Sequence, residues 1–174
     1  MRFMPLNAQL AVQEVEQLRQ RWLEQAGKSV IAEMVAIWQR DSRNWRNLVA
    51  DLAPVSVAPN YPDLLTDLRG LMLDGVCIPN VALPYVDLSY AVIRNSDLDG
   101  ICLQGSMLTR ATFDNCQMKG ADLLQVIADH SSYDRCNLEL ARMDLGDFRF
   151  CTFRRTNMTD IDLDGANMRG SRLV

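Results

Sequence analysis

The sequence predicts a mainly β solenoid preceded by a helical region, and three observations support this prediction. Every fifth residue from Leu68 to Leu173 is apolar, at all 22 positions of the series. A small or β-branched residue stands two positions before almost every one of these apolar centres. Residues 1–53 instead carry apolar residues at helical spacing. A period of five fits neither a helix nor a strand, whereas it fits a coil built from short, similar sides.

The helical region is expected to contain three helices. Asn7 suits the N-cap of the first helix, and Gly27 is expected to end it, because glycine often follows a helix C-terminus. A second helix is expected from residue 29 to about residue 40, and Asp41 suits the N-cap of a third. Three prolines mark residues 54–67 as a linker. The chain therefore divides into a helical region (1–53), a linker (54–67) and a repeat region (68–174).

Five units of the repeat region have especially regular sequences. They are Ala121-Asp122-Leu123, Ala166-Asn167-Met168, Val86-Asp87-Leu88-Ser89, Ser96-Asp97-Leu98 and Ile161-Asp162-Leu163. These units resemble the A(D/N)LXX pattern of the pentapeptide-repeat family, and the resemblance covers residues 68–174. It implies a right-handed quadrilateral β-helix in which four units form one coil, giving about five coils. The helical region is then expected to form an N-terminal α-helical cap.

A coil of twenty residues predicts that residues twenty apart stack inside the solenoid. One such ladder comprises Leu73, Ile93, Phe113, Tyr133, Phe153 and Leu173. Ala128 is the smallest centre in the series, and slightly larger neighbours or local disorder are expected there. Cys116 and Cys136 are expected to stack, either as small core residues or as a redox pair.

The last coil is expected to present an open strand edge with four apolar centres: Met158, Leu163, Met168 and Leu173. A two-fold contact would bury this edge on both copies, so the sequence favours an end-to-end homodimer. The resemblance points the same way, because some pentapeptide-repeat proteins dimerise at this end.

Composition narrows the class of protein. The formal net charge of −4 lacks the basic excess of a general nucleic-acid binder. No apolar run is long enough for a membrane span, and no secretory signal is recognisable. Five cysteines without CxxC spacing suit a reducing compartment. The sequence therefore predicts a cytoplasmic protein that binds neither membranes nor nucleic acid directly.

No set of residues in the sequence suggests catalysis, a cofactor or a metal. The only histidine, His130, has no partner at metal-ligand spacing and is expected at the surface. The aspartates that precede the apolar centres are expected to bond the local backbone, because asparagine replaces them at several units. We therefore expect a protein that is not an enzyme.

Several apolar residues fall at outward positions, where polar residues are the rule. They are Leu124, Ile127, Leu140, Leu145 and Phe150. Exposed apolar patches often bind partners, so these residues form the candidate partner surface. The alternative is that they pack locally or beneath the helices. A basic group (Arg149, Arg154, Arg155, Arg169 and Arg172) lies nearby in sequence, and Asp160, Asp162 and Asp164 are expected to balance it.

These observations favour a non-enzymatic interaction scaffold that presents the faces of a rigid β-helix to a protein partner. The resemblance also raises an alternative, because some pentapeptide-repeat proteins imitate duplex DNA, bind type II topoisomerases such as gyrase, and protect them from quinolones or peptide toxins. Such mimicry needs a strongly acidic rod. Residues 68–174 carry 14 acidic and 11 basic residues, a net charge of only −3.

Overall fold

A computed structural model describes residues 11–40, 44–50, 52 and 64–174. These residues form three helices, α1 (Val12–Leu23), α2 (Gln25–Trp38) and α3 (Arg46–Ala50), followed by a parallel β-solenoid of about five coils. The strands are β1 (Thr66–Asp67), β2 (Met72–Asp74), β3 (Val86–Asp87), β4 (Val92–Arg94), β5 (Thr112–Asp114), β6 (Ser132–Asp134), β7 (Thr152–Arg154) and β8 (Arg172–Leu173). The predicted fold class is confirmed.

The coils stack with a register of twenty residues. Strands β2, β4, β5, β6, β7 and β8 form one parallel sheet, in which Phe113 lies beside Tyr133 and Tyr133 beside Phe153. Single bridges join residues twenty apart on the other sides. We number the sides by their centres in the middle of the rod: side 1 (Phe113), side 2 (Met118), side 3 (Leu123) and side 4 (Ala128).

Aromatic side chains stack in the core of side 1. The ring centroids of Phe113 and Tyr133 are 5.1 Å apart, those of Tyr133 and Phe153 are 5.0 Å apart, and both pairs are nearly parallel. All three side chains are buried. The predicted ladder is therefore continuous through three successive coils.

A glycine makes room for a large residue where the core is thinnest. Ala128 is buried, and the next centre on its side is Phe148. A Cβ on Gly146 would lie 2.4 Å from the Phe148 ring, a distance that real contacts do not allow. Gly146 and Ala128 thus accommodate the Phe148 ring, as expected for a close-packed interior.

The boundary between the first two helices differs from the sequence prediction. The break falls at Glu24, which has extended backbone and both ends α1 and precedes α2. Gly27 does not end α1 but is buried within α2. A Cβ at this position would lie 2.0 Å from the Arg21 carbonyl oxygen, which is too close for any other residue. Glycine therefore permits close approach of the two helices. The predicted caps Asn7 and Asp41 lie outside the described residues.

The helices pack against the first coil. The Trp22 indole N–H donates to the Arg69 carbonyl oxygen (2.9 Å), and the Arg46 guanidinium donates to the Pro84 carbonyl oxygen (2.6 Å). Thr66 pairs with Val86 in the solenoid register, so the array begins within the predicted linker. No helix of the described segments has the length and apolar character needed to cross a bilayer.

Candidate interaction surface

Every side of the coil ends in a turn whose second residue has positive φ. Four of these corner positions carry large, exposed apolar residues: Tyr85, Leu140, Leu145 and Phe150, with φ of 56–59°. This conformation disfavours bulky residues and is more often occupied by glycine or asparagine. The four side chains nevertheless remain between 48% and 58% exposed. Core packing therefore does not explain their presence.

Three of these side chains lie against a glycine in the next coil. A Cβ on Gly165 would lie 2.8 Å from Leu145, and one on Gly170 would lie 2.5 Å from the Phe150 ring. The Tyr85 ring covers Gly105 in the same way, at 2.6 Å. The three side chains thus run along the rod and pack partly against their own chain, as the alternative interpretation of the sequence expected. About half of each side chain stays exposed.

The structure groups four of the five predicted partner residues. Ile127 lies on side 4, Leu124 and Leu145 on the corner before it, and Phe150 on the corner after it. Leu140 lies one corner further away. Leu124 and Ile127 are only partly exposed. Hydrogen bonds from the helical region reach the solenoid at residues between 67 and 84, away from Leu145 and Phe150.

Sequence reasoning missed a cleft beside these residues. It has a volume of about 430 Å³ and is lined by Leu64, Leu65, Tyr85, Gly105, Met107 and Ile127. Its wall is apolar, as is usual for binding sites of this size. Gly105 follows Tyr85 at the same corner and lies beneath the Tyr85 ring. Ile127 lines the cleft and is also one of the predicted partner residues. We therefore call the cleft together with Leu124, Leu145 and Phe150 the side-4 surface.

His130 lies at the edge of the side-4 surface. Its Nδ1 is 3.0 Å from Asp129 Oδ2, and its ring stacks on Phe150 with centroids 4.9 Å apart. The side chain is 40% exposed. No group of three or more metal-ligating side chains occurs among the described residues.

Two carboxylates near helix α1 have opposite environments. Burial alone would raise the pKa of Asp67, but hydrogen bonds and charges from Arg69 and Arg21 hold this pKa below its usual value. Asp87 lies directly above Asp67, and its burial raises its pKa. The Ser89 backbone N–H donates to Asp87 Oδ1, whereas Oδ2 has no partner in the described structure. The Arg21–Asp67 pair thus joins helix and solenoid.

The cysteines are free thiols. Cys116 and Cys136 are buried, and each thiol donates to a backbone carbonyl, that of Ile93 or Phe113, at 3.5 Å. Burial raises the pKa of the Cys151 thiol to about 11. The environments of Cys136 and Cys151 suit small core residues and disfavour reactive thiolates.

The last coil exposes the four centres of the predicted dimer edge to differing extents. Leu163 is 37% exposed and Leu173 is 70% exposed, while Met158 and Met168 are partly buried. The edge therefore presents apolar side chains next to the backbone of the final coil.

Comparison with known proteins identifies the class. Residues 87–123 and 134–170 match pentapeptide repeats, with eight copies of the unit. Together with the unbroken five-residue register, this match shows that the repeat region is built from pentapeptide repeats. The predicted resemblance is confirmed. No curated protein matches the chain.

Solved structures similar to the chain are pentapeptide-repeat proteins. A trypsin-treated form of QnrB1, a plasmid-mediated fluoroquinolone resistance protein, is 17% identical with a TM-score of 0.49; the match covers 62% of this chain and 60% of that one. Rfr23 from the cyanobacterium Cyanothece 51142 is 19% identical, with a TM-score of 0.32 and coverage of 62% and 91%. HetL, involved in heterocyst differentiation regulation in Nostoc sp. strain PCC 7120, is 15% identical, with a TM-score of 0.23 and coverage of 60% and 88%. Identities this low say nothing about a shared function.

Proposed function

We propose that this protein is a non-enzymatic scaffold that binds a protein partner through its side-4 surface. Pentapeptide-repeat proteins are in general structural or interaction proteins. The observations that support this surface are the apolar cleft on side 4, which Ile127 lines, and the half-exposed Leu145 and Phe150 at the two corners of the same side. A rigid rod offers such a surface with little loss of conformational entropy on binding. A cytoplasmic location remains a prediction from the cysteine content.

Arginine at the two exposed corners should abolish partner capture. Arg135 and Arg155 occupy equivalent corner positions, so Leu145→Arg with Phe150→Arg should leave the fold intact. Buried charges without partners weaken an interface strongly, so we expect at least about a tenfold loss of the captured partner. The measurement is affinity capture from cell extract followed by quantitative mass spectrometry.

Gln117→Arg is the matched control, because it adds a charge on side 2 at a position that Arg142 occupies on side 3. This control should capture the same partner as the unmodified chain. Equal capture by the double corner variant would remove the side-4 surface as the binding site. Failure of every variant to recover a specific protein would count against the scaffold itself.

We further propose that two copies associate end to end through Met158, Leu163, Met168 and Leu173. Exposure of Leu163 and Leu173 supports this proposal. The particle mass should be about twice the 19.7 kDa of the chain. Leu173→Asp should yield monomers, because it places a charge in an apolar contact. Light scattering measures the particle mass of the unmodified chain and of Leu173→Asp. The control is Val12→Asp, which changes a residue of α1 that is 84% exposed and should remain dimeric.

Duplex mimicry receives little support from the charge distribution. A rod that replaces DNA needs acidic groups along its length, because phosphates dominate recognition of the duplex. Arg154, Arg155, Arg169 and Arg172 instead place basic groups at the end of this rod. We therefore expect the purified protein to leave gyrase supercoiling unchanged, both with and without a quinolone.

A further inference from the structure

The charged residues of the last coil are divided between opposite sides of the rod. The basic residues are Arg154, Arg155, Arg169 and Arg172, and the acidic ones are Asp160, Asp162 and Asp164. Arg172 pairs with Thr152 on side 1, whereas Asp162 bridges to Arg142 on side 3. Sides 1 and 3 face away from each other in a quadrilateral coil. The rod end is therefore basic along one edge and acidic along the opposite edge.

These charges are not neutralised within the chain. All seven side chains are exposed, and none of them forms an ion pair with the residues that the structure describes. Arg142, beside Asp162 in the stack, instead approaches Asp122 and Asp144, at 3.4 and 3.6 Å. The sequence interpretation that the aspartates balance the arginines is thus not matched by local pairing.

We propose that a second copy neutralises these charges through a two-fold axis that crosses the rod end from side 2 to side 4. This inference rests on the homodimer proposed above and specifies its orientation. The axis exchanges sides 1 and 3 between copies. Asp160 then faces Arg155 of the partner subunit, and Asp164 faces Arg169 of the partner subunit.

End-to-end orientations that bring like charges together are electrostatically unfavourable. An axis from side 1 to side 3 would place each arginine corner opposite an arginine corner and each aspartate corner opposite an aspartate corner. Like charges facing each other across an interface oppose association. The proposed axis also brings Leu163 near Leu173 of the partner subunit, which joins the exposed apolar centres of the two copies. Charge selects the orientation, while apolar contact supplies attraction.

Two charge-reversal variants test this orientation. One carries Asp160→Arg with Asp164→Arg, and the other carries Arg155→Asp with Arg169→Asp. Arginine already occupies both kinds of corner position in this solenoid, at Arg135 and Arg149, and aspartate occupies them at Asp160 and Asp144. Sedimentation equilibrium measures the dimer Kd of each variant and of an equimolar mixture. A control exchanges Lys119 and Glu139, which pair on side 2 away from the rod end.

Each variant alone should dimerise at least about tenfold more weakly than the unmodified chain, and the mixture should form heterodimers within about threefold of the original Kd. Raising the salt concentration should weaken the unmodified dimer. An unmodified chain that is monomeric at all concentrations would refute the homodimer itself. If the unmodified chain dimerises but each variant dimerises equally tightly, only the orientation is refuted. The same holds if the mixture of variants does not regain the original Kd.

Discussion

Replacing Trp22 with alanine is expected to lower the free energy of unfolding by about 3–5 kcal/mol. The Trp22 side chain is fully buried, and its indole N–H donates to the Arg69 carbonyl oxygen in the first coil. The substitution removes a large apolar contact and leaves that carbonyl without its partner. Neighbouring coils in a solenoid stabilise one another, so loss of the helical contact should loosen the first coil most.

Urea unfolding followed by circular dichroism measures the loss in Trp22→Ala, and hydrogen exchange locates it. Trp22→Phe is the matched variant, because it keeps an aromatic ring but removes the hydrogen bond to Arg69. It should cost about 1–3 kcal/mol. Unchanged exchange in residues 66–74 of Trp22→Ala would show that the first coil does not depend on α1.

The regular part of the fold could be predicted because its contacts are fixed by the period. Once a coil contains twenty residues, the neighbours of Phe113 are residues 93 and 133 whatever the rest of the chain does. The stacked rings of Phe113 and Tyr133 follow from this rule. The same spacing would have paired Leu145 with Gly165 and Phe150 with Gly170, a signal available in the sequence.

Contacts between different elements were less accessible to sequence reasoning. Gly27 resembles a helix end locally, but its role depends on the approach of α2 to the Arg21 carbonyl oxygen. The cleft depends on Leu64 and Leu65, which precede the apolar series and therefore fall outside the five-residue pattern. Both features arise from packing between segments, which no local periodicity specifies.

The separation of charge at the rod end illustrates a third case. The sequence shows arginines and aspartates interspersed in the last twenty residues, which suggests local neutralisation. Five-residue spacing instead distributes them around the coil, with Arg172 on side 1 and Asp162 on side 3. Ion pairs within this solenoid join residues one or two apart, such as Arg149 and Asp147, or about twenty apart, such as Lys119 and Glu139. Charges separated by about half a coil lie on opposite sides and do not pair within the described chain.

At position 133, two substitutions should change stability in opposite directions. Tyr133→Ala should lower the free energy of unfolding by about 3–5 kcal/mol, because it opens a cavity between Phe113 and Phe153. Tyr133→Phe should instead raise it by about 1–3 kcal/mol. The Tyr133 hydroxyl is buried without a hydrogen-bond partner in the described structure, and its burial raises its pKa. The Ser131 hydroxyl pairs with the Cys151 thiol (3.2 Å).

Denaturant titration of both variants separates the two contributions of Tyr133, ring packing and hydroxyl burial. The phenylalanine variant keeps the stacked ring and removes only the hydroxyl, so its gain measures the cost of burying an unpaired polar group. A loss of stability in Tyr133→Phe would mean that the hydroxyl is hydrogen-bonded in solution. A small loss in Tyr133→Ala would mean that the neighbouring rings collapse into the space, which the close packing of successive coils at 5.0 and 5.1 Å opposes.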